Sequence, residues 1–281
     1  MRWLPVFLLA GCFPEFADQP WLVDGPQILG IRGDPAEARV NEQVFYEALA
    51  VSADGEILDA AEWSYCVQPR SADERTGVTA SCLEGRDLEP ISASTTILSD
   101  ACSRFGPNPP PVEANESPRR PADPDPSGGY FLPVQAQVEG AEAFGFQRIR
   151  CDLAGATRDV FDAFQDGYTD NLHPEIDDST RDLEVSTGEV VELFLRPTTE
   201  SAEPYVVYSA EDSRLYDAVE DLTVWWYVTG GRLSHGSRAV TGGEAVSTWS
   251  APDEPAEVYG WMILRDSRGG LTWTHLAIDV Q

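Results

Sequence analysis

Residues 222–228 read LTVWWYV, a run of β-branched and aromatic residues that ends before Gly230 and Gly231. Successive side chains of a β-strand point to opposite faces, so the run predicts a strand with two distinct faces. The core face would hold Leu222, Val224, Trp226 and Val228, and the outer face Thr223, Trp225 and Tyr227. A tryptophan in the core on a central strand is typical of a β-sandwich.

Short alternating segments separated by turn residues occupy much of the remaining chain, which indicates further strands. In the C-terminal half they cover residues 189–196, 205–208, 246–250, 258–264 and 271–280, and in the N-terminal half residues 44–51, 62–67, 130–138 and 144–151. Residues 158–165 interrupt the pattern and suit one short helical turn. The predicted fold class is all-β, with two immunoglobulin-like (Ig-like) β-sandwich domains in series. The C-terminal half has no cysteine and therefore lacks an antibody-type disulfide.

The first twelve residues, MRWLPVFLLAGC, have the layout of an export signal: Arg2, a short apolar run, and small residues before a cysteine. The apolar run is too short to span a bilayer, which takes about 20 residues. Leu9-Ala10-Gly11-Cys12 resembles the bacterial lipobox, in which the cysteine is lipidated before cleavage. We predict that Cys12 is the lipid attachment site. The alternative is an ordinary signal peptide that happens to contain a cysteine.

The segments predicted along the chain are a lipoprotein signal peptide (1–11), a lipidated tether (12–25), an N-terminal Ig-like sandwich (26–155), an acidic interdomain segment (156–183) and a C-terminal Ig-like sandwich (184–281). Residues 103–129 contain eight prolines, a density that excludes a helix or an internal strand. We assign them to a long loop within the first sandwich. The two halves show no clear sequence repeat.

Acidic residues outnumber basic ones 48 to 19, the formal net charge is −29, and every basic residue is arginine. Such a surface repels nucleic acid and anionic lipid headgroups, so neither is a predicted partner. The acidic interdomain segment raises the alternative of bound Ca²⁺, which prefers oxygen ligands. Its candidate ligands are Asp166, Asp170, Asn171, Glu175, Asp177, Asp178 and Asp182. The EF-hand spacing is absent, so we favour a solvated acidic loop and predict no metal and no cofactor.

Four cysteines remain besides Cys12, and an even number in an oxidising compartment predicts two disulfides. They are Cys66, Cys82, Cys102 and Cys151. Zinc sites usually contain closely spaced cysteine pairs, which this chain lacks. Three connectivities are open, and we choose the pairing of sequence neighbours, Cys66–Cys82 and Cys102–Cys151.

Catalytic motifs are missing from the sequence. The histidines are His173, His235 and His275, and Ser234 and Ser237 lie beside His235 without a G-x-S-x-G elbow. H-E-x-x-H, the P-loop and G-x-G-x-x-G are also absent. With 48 acidic residues, no pair stands out as the carboxylates of a glycosidase. We predict a protein that is not an enzyme.

Trp225 and Tyr227 are the candidate ligand-binding residues, because the outer face of their strand would present both rings. Exposed rings suit sugars or a protein partner, whereas covered rings would pack between the domains; we favour the second arrangement. The register of the final hairpin, and with it the faces of Trp261 and Trp273, stays open because a one-residue slip exchanges the two faces.

Four stretches together resemble uncharacterised lipoproteins of myxobacteria. They are the lipobox, PQILGIRGDPAEARVNEQVFYEALAV, the W-x-Y-C of 63–66, and the ending WYVTGG…STWSAP…LRDSRGGLTWTHLAIDV. The resemblance implies tandem Ig-like domains, a surface or periplasmic location and no established activity. In bacterial lipoproteins an aspartate directly after the lipidated cysteine marks retention in the inner membrane. Here Phe13 follows Cys12, so we favour the outer membrane. The sequence does not decide between the periplasmic and the surface leaflet.

These observations predict a lipid-anchored envelope or cell-surface protein. Its role would be non-catalytic binding, adhesion or scaffolding through contacts with another envelope or surface protein. The alternative is a glycan-binding module that holds polysaccharide on the C-terminal aromatic residues.

Overall fold

The computed structural model describes residues 19–69, 77–106, 129–153 and 155–281. Cys12, the signal peptide and most of the proline-rich loop lie outside these residues. Within them the chain is all-β with three short helices, as the sequence predicts. No helix in the described ranges has the length and apolar character needed to cross a membrane.

The first sandwich is built from eight strands in two sheets. The strands are β1 (Gln27–Asp34), β2 (Glu37–Arg39), β3 (Gln43–Val51), β4 (Glu62–Cys66), β5 (Leu88–Ile91), β6 (Ser94–Thr96), β7 (Gly129–Val138) and β8 (Ala141–Arg150). One sheet has the order β1-β3-β6 and the other β2-β8-β7-β4-β5. Two short helices, α1 (Ala80–Leu83) and α2 (Ala101–Phe105), lie in the connections.

The second sandwich follows helix α3 (Arg158–Gly167). Its strands are β9 (Ile176–Ser179), β10 (Leu183–Val185), β11 (Val190–Pro197), β12 (Pro204–Ser209), β13 (Arg214–Val219), β14 (Leu222–Val228), β15 (Arg232–Leu233), β16 (Ser237–Ala239), β17 (Ala245–Ser250), β18 (Ala256–Asp266) and β19 (Leu271–Val280). The sheets have the orders β10-β19-β18-β14-β16 and β15-β17-β11-β9, and β12 and β13 form a separate hairpin.

Both sandwiches have the same Ig-like arrangement. In each, a short early strand runs parallel to the last strand: β2 beside β8, and β10 beside β19. Equivalent central strands carry a buried tryptophan, Trp63 on β4 and Trp226 on β14. The common strand order relates the two halves although their sequences show no clear repeat.

The predicted core face of β14 lies in the core of the second sandwich, where Leu222, Val224, Trp226 and Val228 are all buried. They pack with Leu193 and Leu195 of β11 and Trp249 of β17 from the facing sheet. Tyr46, Trp63, Tyr65, Leu132 and Val134 lie in the corresponding core of the first sandwich. Each sandwich therefore has its own hydrophobic core.

The segment between β11 and β14 has more structure than the sequence predicts. β12 pairs along its whole length with β13, a strand that the sequence analysis missed because charged residues interrupt its alternation. Helix α3 spans ten residues, where we predicted a single turn. Phe164 is buried on its inner side, with its ring centroid 4.8 Å from that of Tyr168.

Two disulfides clip the first sandwich. Cys66 at the end of β4 bonds to Cys82 in α1, and Cys102 in α2 bonds to Cys151 just after β8. This is the pairing chosen from sequence adjacency. Both bonds fasten a short connecting helix to the five-stranded sheet.

Candidate functional site: the junction between the two sandwiches

The two sandwiches pack against each other through the outer faces of their sheets. A buried cluster joins β1 and β3 of the first sandwich to β18 and β19 of the second, and we call it the junction cluster. Its members are Val23, Leu29, Leu49, Val51, Trp261, Ile263 and Leu271. An interface of this buried, apolar kind restricts relative domain motion.

A β-bulge in strand β1 places Leu29 and Ile31, which are two residues apart, on opposite faces of the strand. The pairing of β1 with β3 shifts between Ile28 and Gly30, so that Leu29 packs in the junction cluster while Ile31 packs in the core of the first sandwich. A Cβ atom added to Gly30 would lie 3.5 Å from Leu271 and 3.7 Å from Ile263. The strand therefore lies directly against the second sandwich.

Trp225 and Tyr227 share the outer face of β14, but their surroundings differ. Tyr227 is half-buried against the junction cluster and lies opposite Trp261 in the sheet. Trp225 is 39% exposed, and the guanidinium carbon of Arg265 lies 5.7 Å from its ring centroid. The interdomain packing that we favoured from the sequence is thus seen for Tyr227 but not for Trp225, which remains accessible to solvent.

The final hairpin buries Trp261 in the junction cluster, while Trp273 packs at its edge. The guanidinium carbon of Arg32 lies 4.2 Å from the Trp273 ring centroid, and Arg32 also pairs with Glu47 at 2.7 Å. The register that the sequence left open therefore directs both tryptophans toward the first sandwich.

The N-terminal segment contacts the second sandwich before it enters the first. Leu22 forms a parallel bridge with Val228 at the end of β14. The Val23 amide donates to the Val228 carbonyl, and the Val228 amide donates to the Trp21 carbonyl, both at 2.9 Å. Residues 21–23 thus extend the junction to the edge of β14.

Arg268, in the turn between β18 and β19, is the centre of a buried polar network. Its Nε donates to Glu220 at 2.5 Å and its Nη2 to Glu203 at 3.0 Å. Its Nη1 donates to the Thr169 carbonyl at 2.7 Å, and its guanidinium carbon lies 4.5 Å from the ring centroid of Tyr205. The guanidinium is almost fully buried, and each of its three nitrogens donates a hydrogen bond.

Glu37 on β2 extends this network into the first sandwich. The Tyr168 hydroxyl donates to Glu37 at 2.8 Å, and the Asn171 amide N–H donates to it at 2.9 Å. Arg148 Nε lies 3.5 Å and Arg268 Nη1 lies 3.9 Å from the same carboxylate. Burial raises the pKa of Tyr168 to about 12, so its hydroxyl keeps the proton that it donates.

Asp266 completes the network at the end of β18. Its Oδ1 accepts from the amides of Arg268 at 2.8 Å and Gly270 at 2.9 Å. Its buried Oδ2 has no hydrogen-bond partner among the described residues. Burial, and then the nearby Glu220 carboxylate, raise the pKa of Asp266 to about 7. Glu37, Arg148, Tyr168, Asn171, Glu203, Glu220, Asp266 and Arg268 form what we call the junction network.

The acidic interdomain segment is bound to both sandwiches and is more than a solvated loop. Asp170 pairs with Arg150 at 2.5 Å and lies 3.7 Å from Arg39, while Asp178 lies 3.6 Å from Arg196. Within the described ranges, no group of three His, Cys, Asp or Glu side chains is arranged to hold a metal ion.

His173 in the same segment bridges the two sandwiches. Its Nδ1 accepts from the Leu271 amide at 3.2 Å, and its Nε2 lies 3.0 Å from the Gly33 carbonyl. Burial lowers the pKa of His173, which favours a neutral ring with the proton on Nε2. This histidine therefore has a packing and hydrogen-bonding role at the junction.

Ser234 and His235 do not form a catalytic set. Ser234 Oγ lies 3.1 Å from His235 Nδ1, and the exposed imidazole faces Arg238. No carboxylate among the described residues hydrogen-bonds to this histidine. A nucleophile, base and orienting acid are therefore not assembled here.

Sequence reasoning did not predict the junction network, although it named one member, Asn171, as a candidate Ca²⁺ ligand. Glu37, Arg148, Glu220 and Arg268 come from four separate parts of the chain, and none belongs to a motif with diagnostic spacing. The one local signal was the placement of a predicted interdomain segment at 156–183, which contributes Tyr168 and Asn171. Long-range strand packing brings the other members together.

No protein-family model matches the chain, and no curated protein matches it significantly. Among solved structures it is similar to the D00-D0 domain of intimin, with 11% identity, a TM-score of 0.26, and coverage of 90% of this chain and 100% of that one. Tandem Ig repeats of Dlar match with 10% identity, a TM-score of 0.28, and coverage of 92% and 99%. A nucleoside hydrolase-related protein from Saccharophagus degradans matches with 15% identity and a TM-score of 0.26, over 40% of this chain and 26% of that one. The chain itself is an all-β protein with two Ig-like sandwiches.

Proposed function

We propose that this protein is an exported, lipid-anchored component of the cell envelope or cell surface with a non-catalytic adhesion or scaffold role. The observation that carries the proposal is the junction, where a buried apolar cluster and a buried charged network fasten two Ig-like sandwiches together. A fixed angle between two modules suits a protein that presents its surfaces to partners at a set spacing. Because the two domains are already fixed relative to each other, binding of a partner would cost little entropy from restricted domain motion.

The proposed anchor is Cys12, supported by the lipobox resemblance of residues 9–12. Trp21 is nine positions after Cys12 and is the first described residue that hydrogen-bonds to β14. An extended chain of that length spans at most about 30 Å. The tether would therefore keep the junction close to the membrane surface.

The test of the anchor compares the full chain with a Cys12→Ser variant in the native cells. We expect the wild type in the membrane fraction and in the detergent phase after phase partitioning. The variant should appear in the soluble fraction or remain unprocessed. A mature wild-type chain that enters the aqueous phase would contradict the proposal.

The scaffold role is tested by mild crosslinking in the same cells, followed by identification of the linked proteins. We expect the same envelope or surface proteins to be recovered with the wild type in repeated experiments, and to be lost with Cys12→Ser, which has an unchanged folded domain. Recovery of no envelope protein by the wild type would count against the role.

Glycan binding is the second candidate, and the exposure of Trp225 favours it. An accessible indole stacks on sugar rings, and Trp225 is accessible whereas Tyr227 is largely covered. Retention of Trp225→Ala on envelope polysaccharide should be compared with that of the wild type. Wild-type retention that the substitution abolishes would establish this function, and absence of wild-type retention would exclude it.

A further inference from the structure

A cleft of about 720 Å³ lies between the two sandwiches beside the junction cluster. One wall is formed by β1, β7 and β8 of the first sandwich, and the other by β14 and the turn between β18 and β19. Phe131, Phe144, Phe146 and Tyr227 supply aromatic surface to it. Its volume falls within the range of small-molecule sites, about 300–1,000 Å³.

Among the described residues that line this cleft, Arg265 is the one cationic side chain and Asp266 the one carboxylic acid. Its Nη2 donates to the Leu29 carbonyl at 3.2 Å, and its guanidinium lies over the Trp225 ring. Its buried Nε has no hydrogen-bond partner among the described residues. Burial lowers the pKa of Arg265, which is the direction expected for a cation removed from water without a compensating anion.

No carboxylate among the described residues lies within 4.0 Å of the Arg265 guanidinium, although Asp266 also lines the cleft, and in this Arg265 differs from the other enclosed arginines. Within the described ranges, every other buried or half-buried arginine has a carboxylate within 4.0 Å: Arg32, Arg104, Arg148, Arg150 and Arg268. The chain has 48 acidic residues from which a partner for Arg265 could have come. The cleft is thus lined by a guanidinium that has no carboxylate partner, next to aromatic walls.

We infer that the cleft binds a small amphipathic anion. Its carboxylate, sulfonate or phosphate group contacts Arg265, and its apolar or aromatic body lies against the rings of Phe131, Phe144 and Phe146. A charged hydrogen bond to the anion replaces the water that the enclosed guanidinium has lost, and the rings cover the apolar part. Binding of such an anion goes beyond the proposed scaffold role and does not depend on it.

The test uses two fluorescent probes that differ in charge: anilinonaphthalene sulfonate, which is anionic, and phenylnaphthylamine, which is neutral. Each is titrated against the mature chain and its Arg265→Gln variant. Loss of a charged hydrogen bond should weaken binding of the anionic probe by about tenfold or more. Binding of the neutral probe should change by less than about twofold, because its contacts are apolar.

The matched control is Arg232→Gln, which removes the same charge from an exposed arginine that has no carboxylate within ion-pair distance in the described part of the chain. It should leave both probes unaffected. Phe146→Ser, at a ring that is 42% exposed, should weaken both probes without disturbing a core. Equal effects of Arg265→Gln on the two probes, or no effect on the anionic one, would overturn the inference.

A competition experiment on the wild type tests whether the cleft recognises an anionic group, and it does not require Arg265→Gln to fold. Decanoate should displace the anionic probe, whereas decanol at the same concentration should displace it at least about tenfold less well. Equal displacement by the acid and the alcohol would show an apolar site that does not use the guanidinium.

Discussion

Arg268 contacts groups that are remote from one another in sequence, including Thr169, Glu203 and Glu220. Buried ion pairs add little net stability compared with an apolar replacement of the whole set, because desolvation of the charges is costly. Removal of one partner is different, since it leaves the remaining charges buried without compensation. The junction network should therefore be sensitive to the loss of its single central cation.

We expect Arg268→Met to lower the free energy of unfolding by about 3–5 kcal/mol, because Glu220 and Glu203 would stay buried without their partner. Chemical denaturation at neutral pH measures the change. Arg181→Met is the control, since this exposed arginine lies 4.0 Å from Asp178 and should contribute less than about 1 kcal/mol. Equal effects of the two substitutions would show that the network does not hold the junction.

Asp266 should make stability depend on pH. Its pKa is raised from 3.8 to about 7 in the folded state, so between these pH values the folded chain retains a proton that the unfolded chain has lost. Stability therefore falls as pH rises through this window and levels off above about pH 7. Asp266→Asn does not ionise, and its stability relative to the wild type should increase by about 2–3 kcal/mol between pH 5 and pH 8.

Parallel denaturation of the wild type and Asp266→Asn at a series of pH values measures that difference and cancels contributions common to both. A difference that does not vary with pH would mean that Asp266 is ionised in the folded protein at pH 5, as an exposed aspartate would be.

Trp225 and Tyr227 both lie on the outer face of β14, but they should contribute differently to stability. Tyr227→Ala should cost about 2–3 kcal/mol, somewhat less than a fully buried aromatic, because the ring is half-buried in the junction. Trp225→Ala should cost less than about 1 kcal/mol, because its ring is 39% exposed. Urea unfolding of the two single variants compares them on one strand and one face. A larger loss at Trp225 would contradict the packing described for the pair.

Alternation was enough to predict β14, since each side chain from Leu222 to Val228 faces the side that a two-residue period assigns. The same reasoning left the final hairpin undecided. Trp261 and Trp273 both lie on strands with apolar residues on two faces, and the choice between faces depends on the first sandwich covering one of them. The junction network was beyond sequence patterns for a related reason: its residues are neighbours only through tertiary packing.

The two sandwiches should unfold together because the junction cluster and the junction network connect them. We expect one cooperative calorimetric transition for the wild type. Leu49→Asp should divide it into two, because a carboxylate would replace a leucine that is 2% exposed in the junction cluster. Phe45→Asp is the matched control: it lies on the same face of β3 but is 55% exposed. Two transitions in the wild type, or in the control, would show that the junction is too weak to couple the domains.

The bridge between Leu22 and Val228 gives the molecule a definite path for mechanical load. Under the proposed anchoring at Cys12, a pull from the membrane reaches residues 21–23 first and passes from them directly into β14 of the second sandwich. A partner held by the second sandwich would therefore be under tension without stretching the first. A partner held by the first sandwich would pull on β1 and on the junction, so the same force would meet different resistance depending on which sandwich carries it.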